Sequence, residues 1–257
     1  MSGNSVFVKR IIPLVVLLAL FAGFFWFDLD RYLTFQALSD HRDSLLAFVA
    51  DHYLTALALY FVLYAVSVAA SIPGGVLMTV TGGFLFGWWI AGLVTVVSAT
   101  LGATLVFLVA ETALGEPLRR KAGPWLRPLE VGFQKNALNY LLFLRLVPAF
   151  PFWLVNIAPA FLGVPLRTYV VGTFVGIIPG TFVFAFLGTG LDSVILEQQQ
   201  RYADCLTSGA TDCTRAFQIS SLLTPEVIVA FVALGLIALL PVILDKIRRA
   251  KPDGTLR

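Results

Sequence analysis

The sequence predicts an all-α integral membrane protein with about four full transmembrane helices and two oppositely oriented re-entrant helical hairpins in an inverted repeat. Three observations predict this class. Of the 257 residues, 58% are apolar and only 13% are charged, whereas about a quarter of the residues in soluble domains are charged. Residues 53–110 contain no Asp, Glu, Lys or Arg, although about 20 apolar residues suffice to cross a bilayer. Clusters of Pro and Gly interrupt two apolar stretches, which predicts breaks at membrane depth.

Four stretches are predicted to cross the membrane completely, at residues 11–27, 90–113, 168–190 and 226–244. The first follows Lys9 and Arg10 and resembles a signal peptide, but no small-residue cleavage site follows it, so we expect a retained anchor. The basic loop of residues 114–135 and the basic C-terminal tail are expected to face the cytoplasm. Both termini are therefore predicted to be cytoplasmic, in a membrane that we expect to be the bacterial plasma (inner) membrane.

The first re-entrant hairpin is predicted at about residues 53–89, and its breaks lie in the sequence "SIPGGVLMTVTGGFLFGWW". Pro lacks a backbone donor and Gly weakens a helix, so this region is a poor continuous span. Three complete spans in the uncharged stretch would leave no residues for turns. One span and one hairpin therefore fit the orientation better. The predicted breaks are at Pro73, Gly74, Gly75, Gly82 and Gly83.

The second half of the chain repeats this order of elements. A hairpin is predicted at about residues 139–163, with breaks at Pro148, Pro151 and Pro159, and an uninterrupted span follows it. Pro179 and Gly180 are predicted to kink that span. Paired broken segments in two inverted halves indicate a transport site where the halves meet.

Three polar residues in apolar surroundings are candidates for binding substrate. Arg145 is the only full charge in the second apolar stretch, and a guanidinium donates two parallel hydrogen bonds to a phosphate. The alternative for Arg145 is a snorkelling or hairpin-bracing role. Glu111 is a candidate partner of Arg145 or a proton-coupling acid, with a headgroup-level carboxylate as the alternative. Asn156 is expected to cap a broken helix end or to touch substrate.

Three domains are predicted. Residues 1–52 form an anchor helix and an interfacial segment, residues 53–191 form the core with both hairpins, and residues 192–257 form an external loop, the last span and the tail. Residues 28–52 and 114–137 are predicted to be interfacial helices, with polar loops as the alternative. Cys205 and Cys213 lie in the loop predicted to be outside, where a disulfide persists, and two free thiols are the alternative.

Enzymatic chemistry is not expected from this sequence. His41 and His52 are the only histidines, and no Cys or carboxylate lies at metal-ligand spacing from them. The glycine clusters do not match a nucleotide-binding loop. The basic residues flank apolar segments and form no patch for nucleic acid. We therefore expect no metal, no cofactor and no nucleic acid, with membrane lipids as the partners. Small-residue pairs such as that in "GTGL" can mediate helix association, so a homo-oligomer is one of the expected possibilities.

Three segments carry a resemblance to a known family: "IPGGVLMTVTGGFLFG", "FLRLVPAFPFWLVNIAPAFLGV" and "GTFVGIIPGTFVFAFLGTGL". They resemble the VTT-domain branch of the DedA superfamily, also called SNARE-associated Golgi proteins, over roughly residues 55–190. The resemblance implies two facing re-entrant hairpins and a role in lipid scrambling or in recycling polyprenyl-phosphate carriers. Arg145, Pro148 and Pro151 match the family's arginine-proline element, and Pro73 and Gly74 match its first hairpin.

The sequence departs from the proton-coupled members that it resembles. Those members carry an acidic residue after the first Pro-Gly pair, where this chain has Gly75, and a second arginine beyond the proline element, where it has Phe150, Pro151 and Phe152. The first functional hypothesis is therefore a lipid translocator, scramblase-like or flippase-like, that does not hydrolyse ATP. The alternatives are an ion- or proton-coupled transporter of a small solute, and a scaffold that recruits partners through Arg119, Arg120 and Lys121.

Overall fold

The computed structural model describes residues 3–114, 136–146 and 151–191, with residues 195–196, 200, 204–205 and 207–208. Every regular element in these ranges is a helix, which confirms the all-α prediction. A 3₁₀ turn, Leu29–Tyr32, follows the first helix, and a π-helical turn, Ala110–Leu114, extends the sixth. The helices are α1 (Gly3–Trp26), α2 (Phe35–Asp40), α3 (Arg42–Asp51), α4 (Tyr53–Ala69), α5 (Gly75–Phe86), α6 (Trp88–Val109), α7 (136–146), α8 (Phe152–Phe161) and α9 (Leu166–Thr189).

Two helices are long and apolar enough to cross a membrane. They are Trp88–Ala113, which is α6 with part of the π-turn, and Leu166–Thr189, which is α9. Both coincide with predicted spans. α3 and α4 make a third candidate if they are counted together, but they are bent by 117° at the break between them. The described residues therefore form an integral membrane protein with two or three candidate spans, and the predicted span at 226–244 lies outside them.

Two of the other apolar helices, α5 and α8, are shorter than a span. α1 has 24 residues, and its apolar part, Ile11–Trp26, coincides with the predicted anchor. α5 has 12 residues and α8 has 10. At 1.5 Å per residue these two helices are about 18 Å and about 15 Å long, whereas the hydrocarbon core is about 30 Å thick. Neither α5 nor α8 reaches across the bilayer by itself.

The first predicted break is found at Pro73 and Gly74, between α4 and α5. Ser71 has a φ of 57° and Gly74 a φ of 130°, so the backbone leaves the helical region on both sides of Pro73. Glycine tolerates such a φ because it has no Cβ. Gly75 then begins α5.

Gly82 and Gly83 were predicted as breaks, and this prediction is wrong because both lie inside α5. The helix ends instead at Gly87, whose φ is 78°. The two glycines make close packing possible. A Cβ on Gly82 would overlap the Tyr60 hydroxyl, and a Cβ on Gly83 would overlap the backbone carbonyl of Ala185.

The prolines predicted as breaks or as a kink in the second half differ in their position relative to the helices: of those that the structure describes, one precedes a helix and two lie inside helices. Pro151 directly precedes α8, as expected for a break. Pro159 was also predicted as a break, but it lies inside α8, which continues to Phe161 and ends before Gly163 (φ 70°). A proline so near the end of a short helix disturbs few backbone hydrogen bonds. α9 continues through Pro179 and Gly180, and Pro148 lies outside the described residues.

The chain divides into two compact units. The first comprises Met1–Val106 and Ile178–Thr224, and the second comprises Phe107–Ile177 and Pro225–Arg257. In the first unit, Tyr60 and Tyr64 of α4 bond to the helices beside them. The Tyr60 hydroxyl lies 2.6 Å from Thr95 Oγ1 on α6, and the Tyr64 hydroxyl lies 2.9 Å from Thr79 Oγ1 on α5. These neutral hydroxyl pairs join α4, α5 and α6.

The segment at residues 28–52 is largely helical, as one of the two sequence hypotheses proposed. Thr34 caps α2, because its side chain accepts a hydrogen bond from the Ala37 N–H at 3.1 Å. Leu38 of α2 packs with Val80 of α5 and with Leu191 in the core of the first unit. Most of the second predicted interfacial segment, 114–137, lies outside the described residues.

Candidate functional site

The guanidinium of Arg145 joins three helices of the second unit. Arg145 lies near the end of α7 and donates from Nη1 to Asn156 Oδ1 on α8 at 2.8 Å. Its Nη2 donates to the Tyr169 hydroxyl at 2.9 Å and to Thr173 Oγ1 at 3.0 Å, both on α9. We call Arg145, Asn156, Tyr169 and Thr173 the arginine cluster. Every acceptor in it is neutral.

Three members of the arginine cluster are removed from solvent, and Arg145 is partly buried. Asn156 and Tyr169 are 0% exposed and Thr173 is 1% exposed. In such surroundings an unpaired charge is expensive, and hydrogen bonds from neutral groups offset only part of that cost. The cluster therefore holds a full positive charge that no carboxylate of the described residues balances within ion-pairing distance.

Two donors of the arginine cluster have no acceptor. Arg145 Nε and Asn156 Nδ2 are buried and make no hydrogen bond. The orientation of the Asn156 amide follows from chemistry, because arginine only donates and must therefore meet the amide oxygen. The amide nitrogen is then left with its two N–H groups. Buried unsatisfied donors are uncommon in proteins, and a functional role is one of the recognised explanations.

Tyr169 fixes the geometry of the arginine cluster. Its ring stacks on Phe107 with the centroids 4.4 Å apart and the planes at 24°. Its hydroxyl also donates to Asn156 Oδ1 at 3.3 Å, so the two partners of the guanidinium are bonded to each other. Gly176 allows the aliphatic part of the Arg145 side chain to pack closely against α9, because a Cβ at position 176 would lie 2.8 Å from Arg145 Cβ.

The sequence interpretation missed Tyr169 and Thr173. They are four residues apart on α9 and so lie on one face of that helix. The available signal was a pair of hydrogen-bonding side chains at that spacing in a largely apolar span. It is a weak signal, because Ser and Thr in membrane helices commonly bond to their own backbone, as Thr104 does to the Thr100 carbonyl.

The two units carry polar residues at corresponding helix positions. Thr79 is the fifth residue of α5, and Asn156 is the fifth residue of α8. Thr95 is the eighth residue of α6, and Thr173 is the eighth residue of α9. In each unit these positions bond to the helix that precedes the short one. In the first unit their hydrogen-bond partners are the hydroxyls of Tyr60 and Tyr64, whereas in the second unit their partner is the guanidinium of Arg145.

The structure joins two of the three predicted site residues. Arg145 and Asn156 are in direct contact, but Asn156 lies inside α8 and caps no helix end, so the capping prediction is wrong. An amide oxygen turned toward a guanidinium explains its position better. Glu111 is exposed in the π-turn after α6, and the described residues contain no ion pair between Glu111 and Arg145.

Two further predictions involve residues that the structure describes in part or not at all. Cys205 is disulfide-bonded, while Cys213, its predicted partner, lies outside the described residues. The basic loop with Arg119, Arg120 and Lys121 also lies outside them.

Comparison with known proteins assigns the region that contains the arginine cluster. Residues 72–190 match the family model described as the VTT domain. Residues 72–190 of the chain are a VTT domain. The resemblance found in the sequence is thereby confirmed, and the VTT domain includes α5 to α9 with all four residues of the arginine cluster.

Relatives of the VTT-domain chain include proteins of animals and of an amoeba. The Transmembrane protein 41 homolog of Dictyostelium discoideum is 33% identical over 208 residues, which cover 79% of this chain and 55% of that protein. Transmembrane protein 41B of Gallus gallus and of Homo sapiens are each 31% identical over 160 residues, covering 61% of this chain and 56% and 52% of theirs. The chain spans about half the length of the curated relatives it matches. No solved structure matches it.

Proposed function

We propose that this protein translocates a phosphate-bearing lipid between the leaflets of its membrane without hydrolysing ATP and without an enzymatic step. One observation carries the proposal: a partly buried arginine whose acceptors are all neutral and whose site retains two buried donors without an acceptor. A site of this kind is suited to bind an anion. The substrate class is a phospholipid or a polyprenyl phosphate, because both carry the anion on an apolar chain.

The chemistry of the arginine cluster favours phosphate. A phosphate offers several acceptor oxygens, and the hydrogen bonds of a guanidinium to an oxyanion are about twice as strong as those between neutral groups. The Nε of Arg145 and the amide nitrogen of Asn156 are the free donors of the cluster. The headgroup of the lipid would satisfy them while its chains remain in the bilayer.

Balanced charge also explains why no energy source is needed. When the phosphate meets Arg145, the positive and negative charges offset each other in a medium of low dielectric constant. The penalty that normally keeps a headgroup out of the bilayer is thereby reduced in both directions. The protein then equilibrates lipid between leaflets and does not pump it.

A liposome assay tests the proposal. We expect wild-type protein to accelerate dithionite bleaching of fluorescent phospholipid initially in the inner leaflet. We expect Arg145→Lys to be several-fold slower, because an ammonium keeps the charge but cannot hold α8 and α9 in the fork geometry of a guanidinium. Phe174→Leu, an apolar change at an exposed position of α9 next to Thr173, serves as a matched control. Bleaching by wild-type protein at the rate of protein-free liposomes contradicts the proposal.

We also propose the finer topology that the sequence predicts, with four crossings, two re-entrant hairpins of opposite orientation and cytoplasmic termini in a bacterial plasma membrane. The shortness of α5 and α8 supports it. In a Cys205→Ser, Cys213→Ser background, single cysteines at Leu54 and Trp88 should both react with an impermeant maleimide from outside. Cysteines at Leu138 and Leu166 should react only after the membrane is opened. Labelling of one pair from opposite sides would contradict that hairpin.

A further inference from the structure

A separate cavity lies within the first unit, and no residue of the arginine cluster lines it. Its volume is about 410 Å³, and α2, α3, α4 and α5 line it. The wall is almost entirely apolar, and seven leucines line it: Leu33, Leu38, Leu45, Leu59, Leu63, Leu77 and Leu85. Among the described residues that line it there is no carboxylate, lysine or arginine. Such a cavity excludes water, because water needs several polar partners to remain.

One side of the cavity is open to the hydrocarbon of the membrane. Leu59 and Leu63 line it and are 49% and 59% exposed, and Phe48 on α3 is 39% exposed. Leu59 and Leu63 belong to α4, which contains no charged residue. In a membrane protein, exposed leucines on an uncharged helix face lipid. A lipid chain therefore has direct access to the cavity from the bilayer.

The cavity also has a polar border at the junction of α2 and α3. His41 lines the cavity at this junction, and the charged residues Asp40, Arg42 and Asp43 adjoin it in the sequence. Charged residues of a short helix pair next to an uncharged helix belong at the level of the lipid headgroups. The cavity thus has a polar edge, which suits a lipid headgroup, and an apolar wall, which suits a hydrocarbon chain. A molecule with both parts is an amphiphile.

We propose that this cavity binds one hydrocarbon chain of a membrane lipid, with the headgroup of that lipid beside the α2–α3 junction. The volume lies within the range of about 300–1,000 Å³ that is typical of small-molecule sites. It is too small for a helix of a partner protein, whose diameter with side chains is about 10–12 Å. The site needs no contribution from Arg145 and is therefore independent of the proposed function.

Photolabelling of the full chain tests this site. The probe is a phosphatidylcholine with a diazirine in the middle of one acyl chain, reconstituted with the protein and mapped by mass spectrometry. We expect labels to concentrate on α2, α3 and the cavity face of α4. Ala37→Phe, which fills the cavity, should lower this labelling at least fivefold. Ala47→Phe adds the same ring to an exposed position of α3 outside the cavity, and should leave it unchanged.

A second pair of variants covers the case in which Ala37→Phe fails to fold. Leu63→Trp places bulk at the exposed mouth and should also lower the labelling, whereas Leu54→Trp, exposed on α4 but outside the cavity, should not. Arg145→Lys should label as wild type does, so a failure here is distinguishable from a failure of the translocation hypothesis. Equal labelling in all variants, spread over α6 and α9 as well, would mean bulk lipid contact only and would overturn the proposal.

Discussion

Replacing Gly83 with alanine is expected to remove most of the folded protein from the membrane. Gly83 on α5 lies directly against the backbone of α9 in the first unit, where a Cβ would overlap the carbonyl group of Ala185. Gly188 on α9 makes the reciprocal approach, since a Cβ there would overlap the carbonyl oxygen of Val80. A backbone carbonyl cannot rotate away as a side chain can. The two helices must therefore separate.

The expected loss of stability is large because helix association in lipid depends on close packing. Lipid chains are as apolar as leucine, so small residues that bring backbones together supply much of the attraction between membrane helices. We expect Gly83→Ala to cost about 3 kcal/mol or more, at the upper end of overpacking effects. The measurement is the yield of monodisperse protein in mild detergent and its thermal midpoint.

Gly190 provides a matched control for this prediction. It is exposed just beyond α9, and a Cβ there would lie 3.8 Å from the Leu187 carbonyl oxygen, which is an ordinary contact. Gly190→Ala should therefore leave yield and thermal midpoint within a few tenths of a kcal/mol of wild type. Equal stability of Gly83→Ala and Gly190→Ala would show that α5 and α9 do not pack as described.

The glycines of α5 also show which features could not be predicted from the sequence alone. Pro73 and Gly74 were correctly predicted as a break, because a missing backbone donor and a glycine at positive φ are local properties of the chain. Gly82 and Gly83 have the same local chemistry but lie within a helix. Their role depends on Tyr60 and Ala185, which are distant in the sequence. A glycine that permits a turn and a glycine that permits close packing look identical in one sequence.

The membrane spans depend on local features of the sequence, whereas the arginine cluster depends on contacts between segments that are distant in the sequence. The two spanning helices were predictable because length and the absence of charge are local to each segment. Arg145 was predictable because a charge in an apolar stretch needs partners. The identity of those partners was predicted only in part, since Tyr169 and Thr173 on α9 resemble ordinary membrane-helix residues until α7 lies beside them.

Asn156→Asp is expected to abolish most of the lipid translocation while leaving the protein folded. The substitution replaces the amide of Asn156 with a carboxylate of nearly the same shape, 2.8 Å from the Arg145 guanidinium. The buried cation then has a permanent anionic partner. A phosphate must displace that partner before it can bind, and every 1.4 kcal/mol of added cost slows the process about tenfold.

This variant separates the two roles that arginine commonly has inside a membrane. If Arg145 only braces α7 against α8 and α9, a carboxylate preserves the brace, and translocation should continue at the wild-type rate. If Arg145 binds the headgroup, the same carboxylate competes with phosphate, and we expect the bleaching rate to fall about tenfold or more. Thermal stability should be equal to that of wild type or higher, because charge-assisted bonds are stronger than neutral ones.

The control for Asn156→Asp is Thr173→Ser, which keeps the hydroxyl that accepts from Arg145 Nη2 and adds no charge. It should translocate lipid at close to the wild-type rate. Because Asn156→Asp retains the contact with Arg145 but adds a negative charge and removes the free amide donor, a folded and fully active Asn156→Asp protein would show that an anion does not enter the arginine cluster during translocation. Arg145 would then only hold α7 against α8 and α9, and the headgroup would have to cross the membrane at another site.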